Sequence, residues 1–105
     1  SVTIMSRGRK KIIDVMALVK ELLQGGNVRD TRHAKERQHQ RFIERETMIY
    51  ALKNGHHEKR KDKYDEHFQT WNYAIRGRTL ENRNLRIIVS FNKNNMLIIT
   101  AIDLK

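Results

Sequence analysis

Residues 85–104 read LRIIVSFNKNNMLIITAIDL, the longest nearly apolar stretch near the end of the chain. Two apolar runs rich in isoleucine flank a short asparagine-rich joint at residues 92–95, as two strands flank a tight turn. The stretch therefore predicts an antiparallel β-hairpin. The second run is apolar on both of its faces, which is typical of a strand inside a sheet. The rest of the chain must pair with this hairpin or cover it.

Side chains alternate between two faces along a strand, so the first run of the hairpin divides into two sets. One face carries Leu85, Ile87, Val89 and Phe91. Arg86 and Ser90 fall on the other face, although an arginine on the solvent side of an antiparallel sheet is also ordinary.

Residues 68–76 alternate in the same way, with Trp71, Tyr73 and Ile75 on one face and Arg76 on the other. If the apolar sets face the helices, Arg76, Arg86 and Ser90 share the opposite face. Thr100 joins them if Leu97, Ile99 and Ala101 are the helix-facing set of the second run.

The charge balance points to a polyanionic partner. Lys and Arg total 22 against 12 Asp and Glu, which gives a net charge of +10 and a pI near 10.3. Such an excess accelerates encounter with polyanions, so nucleic acid is the first expected partner and an acidic protein the second. A charge that serves solubility alone is the third interpretation.

Length and composition bound the class of protein. The 105 residues predict a single domain spanning residues 1–105. No run has the length of a membrane-spanning helix, so we expect no membrane partner. The chain has no Cys, which excludes disulfides and thiolate metal sites and fits a reducing cytoplasm.

Helical periodicity precedes the strands. Residues 10–24 carry an apolar stripe and end at Gly25-Gly26, residues 31–41 form a second helix, and residues 45–53 form a third. The charge run at residues 56–66 is a polar edge strand or a mobile loop. The predicted fold class is α+β, with two or three N-terminal helices followed by a three- to four-stranded antiparallel sheet.

One predicted helix carries groups that suit phosphate chemistry. His33, Arg37 and Arg41 recur every four residues, so they line one stripe that can bind phosphates and move a proton. A solvated helix face gives the same pattern. The sequence has no phosphate loop, no Gly-x-Gly-x-x-Gly, no Gly-x-Ser-x-Gly and no zinc spacing. Histidine, arginine and hydroxyl groups remain, and they suit metal-independent phosphodiester cleavage without a cofactor.

Four short motifs resemble those of a small bacterial family, domain of unknown function 4258. They are HAKERQHQR at residues 33–41, ALKNG at 51–55, YAIRGRT at 73–79 and LIIT at 97–100. The resemblance covers about residues 31–104 and leaves the first helix, within residues 1–26, outside. The family is similar in element order to RelE and barnase-like ribonuclease toxins, and its own members often sit beside an antitoxin.

The resemblance implies helices on one face of a four-stranded antiparallel sheet, with an RNA site on the other face or at its edge. Four residues match the family motif: His33, Arg37, Arg76 and Thr100. Two features depart from it, because Glu44 replaces the usual capping Ser or Thr and residues 56–66 are unusually basic.

The leading hypothesis is a metal-independent endoribonuclease that acts as the toxin of a toxin–antitoxin pair. His33 is the expected general base or acid, Arg76 and Arg86 hold the scissile phosphate, and Thr100 or Tyr73 supplies a hydroxyl. The expected RNA track consists of Arg37, Arg41, Arg78 and Arg83. The expected partners are RNA, free or on the ribosome, and an antitoxin that is a small acidic, zinc-binding or helix-turn-helix protein.

Two other functions fit the same residues. A non-catalytic basic module would bind RNA or a protein through phosphate or charge contacts alone, with a steep salt dependence. An inhibitor-like protein would dock its basic surface on an acidic partner.

Overall fold

The computed structural model describes residues 10–41 and 43–104, and the side chains of residues 37–41 lie outside that description. The helices are α1 (Val15–Gln24), α2 (Arg32–Arg41) and α3 (Arg45–Lys53). The strands are β1 (Val28–Asp30), β2 (His56–His57), β3 (Lys63–Asp65), β4 (Thr70–Arg78), β5 (Asn84–Asn92) and β6 (Asn95–Leu104). A 3-10 turn, Lys59–Lys61, separates β2 from β3. No helix in these ranges is long and apolar enough to cross a membrane.

The α+β class is confirmed, but the sheet differs from the expected one. It is a mixed sheet of six strands in the order β1-β6-β5-β4-β2, and β3 also pairs with β4. The expected three to four antiparallel strands were too few, because β1 adds to β6 in the parallel direction with Val28 opposite Met96. A parallel neighbour needs a long connection rather than a tight turn, and the whole of α2, α3 and the other strands lies between the two.

The charge run forms the polar edge strand, one of the two alternatives for residues 56–66. His56 pairs with Arg76 and Lys63 pairs with Asn72, so β2 and β3 both lie antiparallel to β4. Because β5 occupies the other side of β4, β2 and β3 are two segments of one edge strand, interrupted by the 3-10 turn.

The hairpin is confirmed. Residues of β5 pair antiparallel with β6, and Asn92 lies opposite Asn95 across a tight turn in which Lys93 has a φ of 20°. A β-bulge then places the extra residue Ile99 between the partners of Val89 and Ile88.

The bulge corrects the predicted faces of β6. Its buried residues are Met96, Ile98 and Ala101, rather than the expected set with Leu97 and Ile99. Both faces of this strand are apolar, so the alternation of its side chains could not reveal where the register shifts. Thr100 pairs with Ile88 and still faces away from the core, as expected.

The core lies where helices α1 and α3 pack against one side of strands β4, β5 and β6. The buried cluster joins α1 and α3 to β4, β5 and β6. Its largest fully buried side chains are Ile43, Met48, Leu52, Ile75, Leu85, Ile87, Met96, Ile98, Val15, Val19 and Val89. We call the opposite side of β4, β5 and β6, which carries Arg76 and Arg86, the open face.

Helix boundaries follow capping chemistry. The Thr31 hydroxyl accepts a hydrogen bond from the Ala34 N–H at 3.2 Å, which starts α2 where predicted. Helix α1 starts five residues later than expected, because the Asp14 carboxylate accepts from the Ala17 N–H at 3.0 Å. Helix α3 has the predicted bounds.

One glycine sets the distance between α3 and the sheet. A Cβ atom built on Gly77 of β4 would lie 2.0 Å from the Ala51 carbonyl oxygen of α3. Only hydrogen fits at this close approach, so Gly77 lets α3 lie directly against the strand that carries Arg76.

Truncating the buried stripe of α1 is expected to destabilise the fold. Leu22 is 8% exposed within the core cluster, so Leu22→Ala should lower the free energy of unfolding by about 2–5 kcal/mol. Denaturant unfolding followed by circular dichroism measures the change. Ile13→Ala is the control, because Ile13 is 90% exposed and its loss should leave the midpoint unchanged. Equal midpoints for Leu22→Ala and the wild type would remove α1 from the core.

Candidate active site

A row of three basic or titratable side chains crosses the open face. His56 of β2 pairs with Arg76 of β4, and Arg76 pairs with Arg86 of β5. Residues directly opposite each other in antiparallel strands project to the same face. The two guanidiniums are therefore neighbours, as the alternation of both strands predicted.

Glu58 lies between the two arginines and neutralises part of their charge. Arg86 Nε donates to Glu58 Oε1 at 2.8 Å, and Arg86 Nη2 donates to Oε2 at 3.4 Å. Arg76 Nη1 lies 3.7 Å from the same Oε2. The side chains of Glu58 and Arg86 are 11% and 19% exposed, whereas that of Arg76 is 42% exposed. Arg76 is thus the cation that this cluster presents to solvent.

The electrostatics of the cluster keep Glu58 ionised. The hydrogen bond from Arg86 holds the pKa of the Glu58 carboxyl below its usual value, and the charges of Arg86, Arg76 and His56 act in the same direction. These effects outweigh the partial burial of Glu58, which raises its pKa. The same hydrogen bond raises the pKa of Arg86. At neutral pH the cluster contains one carboxylate able to accept a proton and two cations.

Asp62 fixes the edge segment that carries Glu58. Its side chain is 1% exposed, and its Oδ2 lies 2.8 Å from both His57 Nε2 and Lys11 Nζ. The Ala74 N–H of β4 donates to Asp62 Oδ1 at 2.9 Å. The neighbouring Glu58 N–H donates to the Ala74 carbonyl oxygen at 2.8 Å, so the turn between the two acids is tied to β4 at both ends.

Tyr73 lies on the other side of the sheet from the arginines. Its side chain faces the helices at 3% exposure, and its hydroxyl oxygen accepts from the Ile12 N–H at 2.9 Å. Desolvation by burial raises the pKa of the Tyr73 hydroxyl. Tyr73 and Arg76 are three residues apart on β4, and an odd spacing along a strand places two side chains on opposite faces. The hydroxyl that was expected in the site therefore holds the segment before α1 instead.

His33 and Thr100 lie on the open side but in different positions. His33, exposed at the start of α2, lines a cavity with Ser90 and Leu97, several residues along the strands from the arginines. Thr100 pairs with Ile88, two residues further along β5 than Arg86. The structure thus brings Thr100 near the arginine pair and places His33 at the other end of the open face.

Of the predicted RNA-track residues, the structure describes the side chains of Arg78 and Arg83, and each contacts another side chain of the fold. Arg83 Nε donates to Asp103 at 3.0 Å, which engages this guanidinium in an ion pair at the end of the hairpin. Arg78 is exposed at the end of β4, and its Nη1 donates to the Asn82 side chain at 3.1 Å. The side chains of Arg37 and Arg41 lie outside the described residues.

Sequence reasoning missed Glu58 and His56 as site residues. Both fall in the charge run at residues 56–66. An edge strand that is merely solvated has the same charged composition, so the composition did not single them out. Their spacing of two residues was the available signal, because extended backbone then places both side chains on one face. Within the described side chains, no three of His, Asp or Glu lie close enough together to hold a metal ion.

Residues 31–103 match the family described as Domain of unknown function (DUF4258), as the four motifs indicated. No curated protein and no solved structure gives a significant match to the chain. The matched span contains α2, α3 and β2 to β6, and therefore Glu58, Arg76 and Arg86, while α1 and β1 precede it. Because this span is more than half of the sequence, the chain belongs to the DUF4258 family.

Proposed function

We propose that the chain is a metal-independent endoribonuclease and the toxin of a toxin–antitoxin pair, related in fold and chemistry to RelE and barnase-like toxins. The observation that carries this proposal is the convergence of Glu58, Arg76 and Arg86 on the open face. A carboxylate between two cations provides a proton acceptor beside a binding site for a phosphate group.

RNA supplies its own nucleophile in this reaction. Glu58 accepts the proton of the ribose 2′-hydroxyl, and the 2′-oxygen attacks the adjacent phosphorus. Arg76 and Arg86 stabilise the negative charge that develops on the phosphoryl oxygens. The bond to the 5′-oxygen breaks, and His56, in the same row as the arginines, donates a proton to this leaving group. The products are a 2′,3′-cyclic phosphate and a 5′-hydroxyl end.

The arginines can hold Glu58 and a phosphate at the same time. A guanidinium has donors on both edges of its planar fork, and Arg86 uses only Nε and Nη2 for Glu58. Arg76 contacts Glu58 through Nη1 alone and is the more exposed of the two. Arg76 therefore meets the incoming phosphate first, and Arg86 mainly fixes the carboxylate.

This geometry reassigns the roles expected from sequence. Glu58 and His56 replace His33 as base and acid, because they lie beside the arginine pair. Thr100 stays a candidate for an RNA contact on the same face, opposite Ile88 and two residues along β5 from Arg86. The substrate is cellular RNA, free or on the ribosome, so the reaction takes place in the cytoplasm. An antitoxin would inhibit it by covering the open face.

A non-catalytic RNA-binding module is the second candidate function. Lys59, Arg60, Lys61 and Lys63 are all exposed along the edge strand next to Glu58. Such a basic edge binds phosphates without cleaving them, and its affinity falls steeply with salt. Salt-sensitive RNA binding with no cleavage by the wild type would favour this module over the enzyme.

Removing the partly buried guanidinium of Arg86 is expected to slow cleavage strongly. Arg86→Ala should lower the rate of RNA cleavage in EDTA by about 100- to 1,000-fold, because it removes transition-state charge stabilisation and the partner of Glu58. Gel analysis of total RNA measures the rate, and circular dichroism checks folding. Lys20→Ala, which removes one charge from an exposed position on α1, should cleave like the wild type. Full activity of folded Arg86→Ala would refute the assignment.

The pH dependence follows from the lowered pKa of Glu58. A base must be ionised to act, so the acid limb of kcat/KM should lie below pH 4.5, the usual pKa of this side chain. The Glu58–Arg86 pair likewise stabilises the folded state at pH values above the pKa of Glu58 in the unfolded chain. This stabilisation is lost as the pH falls through the lower pKa of Glu58 in the folded protein.

Carboxyl-carbon NMR titration separates the ionisation of Glu58 from acid unfolding. The Glu58 resonance should titrate below pH 4.5 in the wild type and at higher pH in Arg86→Ala, since the largest cause of the lowered pKa is removed. An acid limb well above pH 4.5, or a Glu58 titration indifferent to Arg86, contradicts the assignment of the base.

A further inference from the structure

The cavity that His33 lines lies on the open face, at the other end from Glu58. It has a volume of about 600 Å³ and lies between the start of α2 and strands β4, β5 and β6. Its size falls in the range of cavities that bind small molecules or parts of larger ligands. Neither the arginine pair nor Glu58 lines it.

The lining combines flat apolar surfaces with short polar groups. Leu97 and Ile99 provide apolar surface, and Phe68 and His33 provide rings. The polar side chains at the wall include an amide and two hydroxyls, from Asn72, Ser90 and Thr70. Rings that stack on a planar ligand, together with amides and hydroxyls that bond its edge, are the groups that recognise an unstacked nucleobase.

Phe68 is a large apolar residue that is held in an exposed position, so burial of its ring does not account for that position. Its side chain is 73% exposed, which removes little apolar surface from water. The Asp65 carboxylate accepts hydrogen bonds from the N–H groups of His67 and Phe68 at 2.9 and 3.1 Å and thereby fixes the turn. The His67 and Phe68 rings also contact each other at 4.7 Å between centroids. The turn therefore presents the Phe68 ring at the rim of the cavity.

The cavity and the arginine pair belong to one surface. Asn72 lies four residues before Arg76 on β4, and Ser90 lies four residues after Arg86 on β5. An even spacing keeps all four side chains on the same face, about 13 Å apart along each strand. One short RNA segment can reach both places, and the net charge of +10 favours such a ligand over a neutral one.

We infer that this cavity binds a base of single-stranded RNA, stacked on Phe68 and bonded at its edge by Asn72, near the phosphate that Arg76 and Arg86 hold. The inference rests on the proposed function in that RNA is the ligand. It adds a base-recognition site to a phosphate site, and base recognition gives the enzyme a sequence preference.

The test uses a ligand that the enzyme cannot cleave. One probe is a fluorescent single-stranded 2′-O-methyl RNA octamer of mixed sequence, and the other is the same backbone without bases. Anisotropy titrations give Kd at one fixed salt concentration for the wild type, Phe68→Ala and Leu80→Ala. Leu80 is the matched control, because it is an equally exposed apolar residue, 80% exposed, outside the cavity.

Phe68→Ala should weaken binding of the base-containing octamer by about 5- to 150-fold, the loss expected for one base–aromatic stack. It should leave Kd for the abasic backbone unchanged, and Leu80→Ala should alter neither Kd. Equal affinity of wild type and Phe68→Ala for the base-containing octamer overturns the inference but leaves the proposed function standing. Failure of the wild type to bind either probe at low salt contradicts the proposed function as well.

A second variant tests whether the base binds inside the cavity rather than on the surface around it. Homo-oligomers of A, C, G and U should bind the wild type with different affinities, and Asn72→Ala should reduce those differences by removing an edge contact. Equal affinities for the four homo-oligomers, or differences unchanged by Asn72→Ala, overturn the inference.

Discussion

The pairing of β4 with β5 in the register that sets Arg76 opposite Arg86 is the constraint on which both the core and the site depend. Residues of these strands alternate, so the same register buries Ile75 and Ile87 against the helices. A slip of one strand by one residue would turn its arginine toward the core and its buried isoleucine toward solvent, which makes the register strongly specified. Two like charges directly opposite each other are unfavourable, and Glu58 offsets this repulsion.

The segment before the family match also supports the site. Lys11 forms an ion pair with Asp62 at 2.8 Å and lies 4.7 Å from the centre of the Trp71 ring. The N–H of Ile12 donates to the hydroxyl of Tyr73. Both contacts lie on the helix side of the edge strand, opposite the arginine pair. The edge segment that positions Glu58 is therefore fixed by residues that precede the DUF4258 span.

Periodicity predicted the parts of the fold in which one face is apolar and the other polar. The helix bounds of α2 and α3, the hairpin, and the shared face of Arg76 and Arg86 follow from such patterns. The three residues of β1 are too few to show a pattern, and their parallel partner is distant in sequence. The bulge at Ile99 escaped prediction because β6 is apolar on both faces.

The side chains that converge at the candidate site could be predicted only in part, for the same physical reason. The arginines of β4 and β5 were found because each interrupts an apolar run, whereas Glu58 sits among charges that give no contrast. His33 drew attention through its spacing from Arg37, yet helical spacing fixes only a stripe on one helix and not its position over the sheet. Tertiary contacts, such as the two hydrogen bonds from Arg86 to Glu58, decide which polar residues converge.

The central claim is that Glu58 activates the ribose 2′-hydroxyl beside the Arg76–Arg86 pair. Cleavage of a defined RNA oligonucleotide in EDTA, by the wild type and by folded Glu58→Gln, tests it most directly. The account predicts a 2′,3′-cyclic phosphate end, no cut where a single 2′-deoxynucleotide replaces the nucleophile, and a rate about 100-fold or more lower for Glu58→Gln. Cleavage at the 2′-deoxy position, or an undiminished rate in Glu58→Gln, would contradict it.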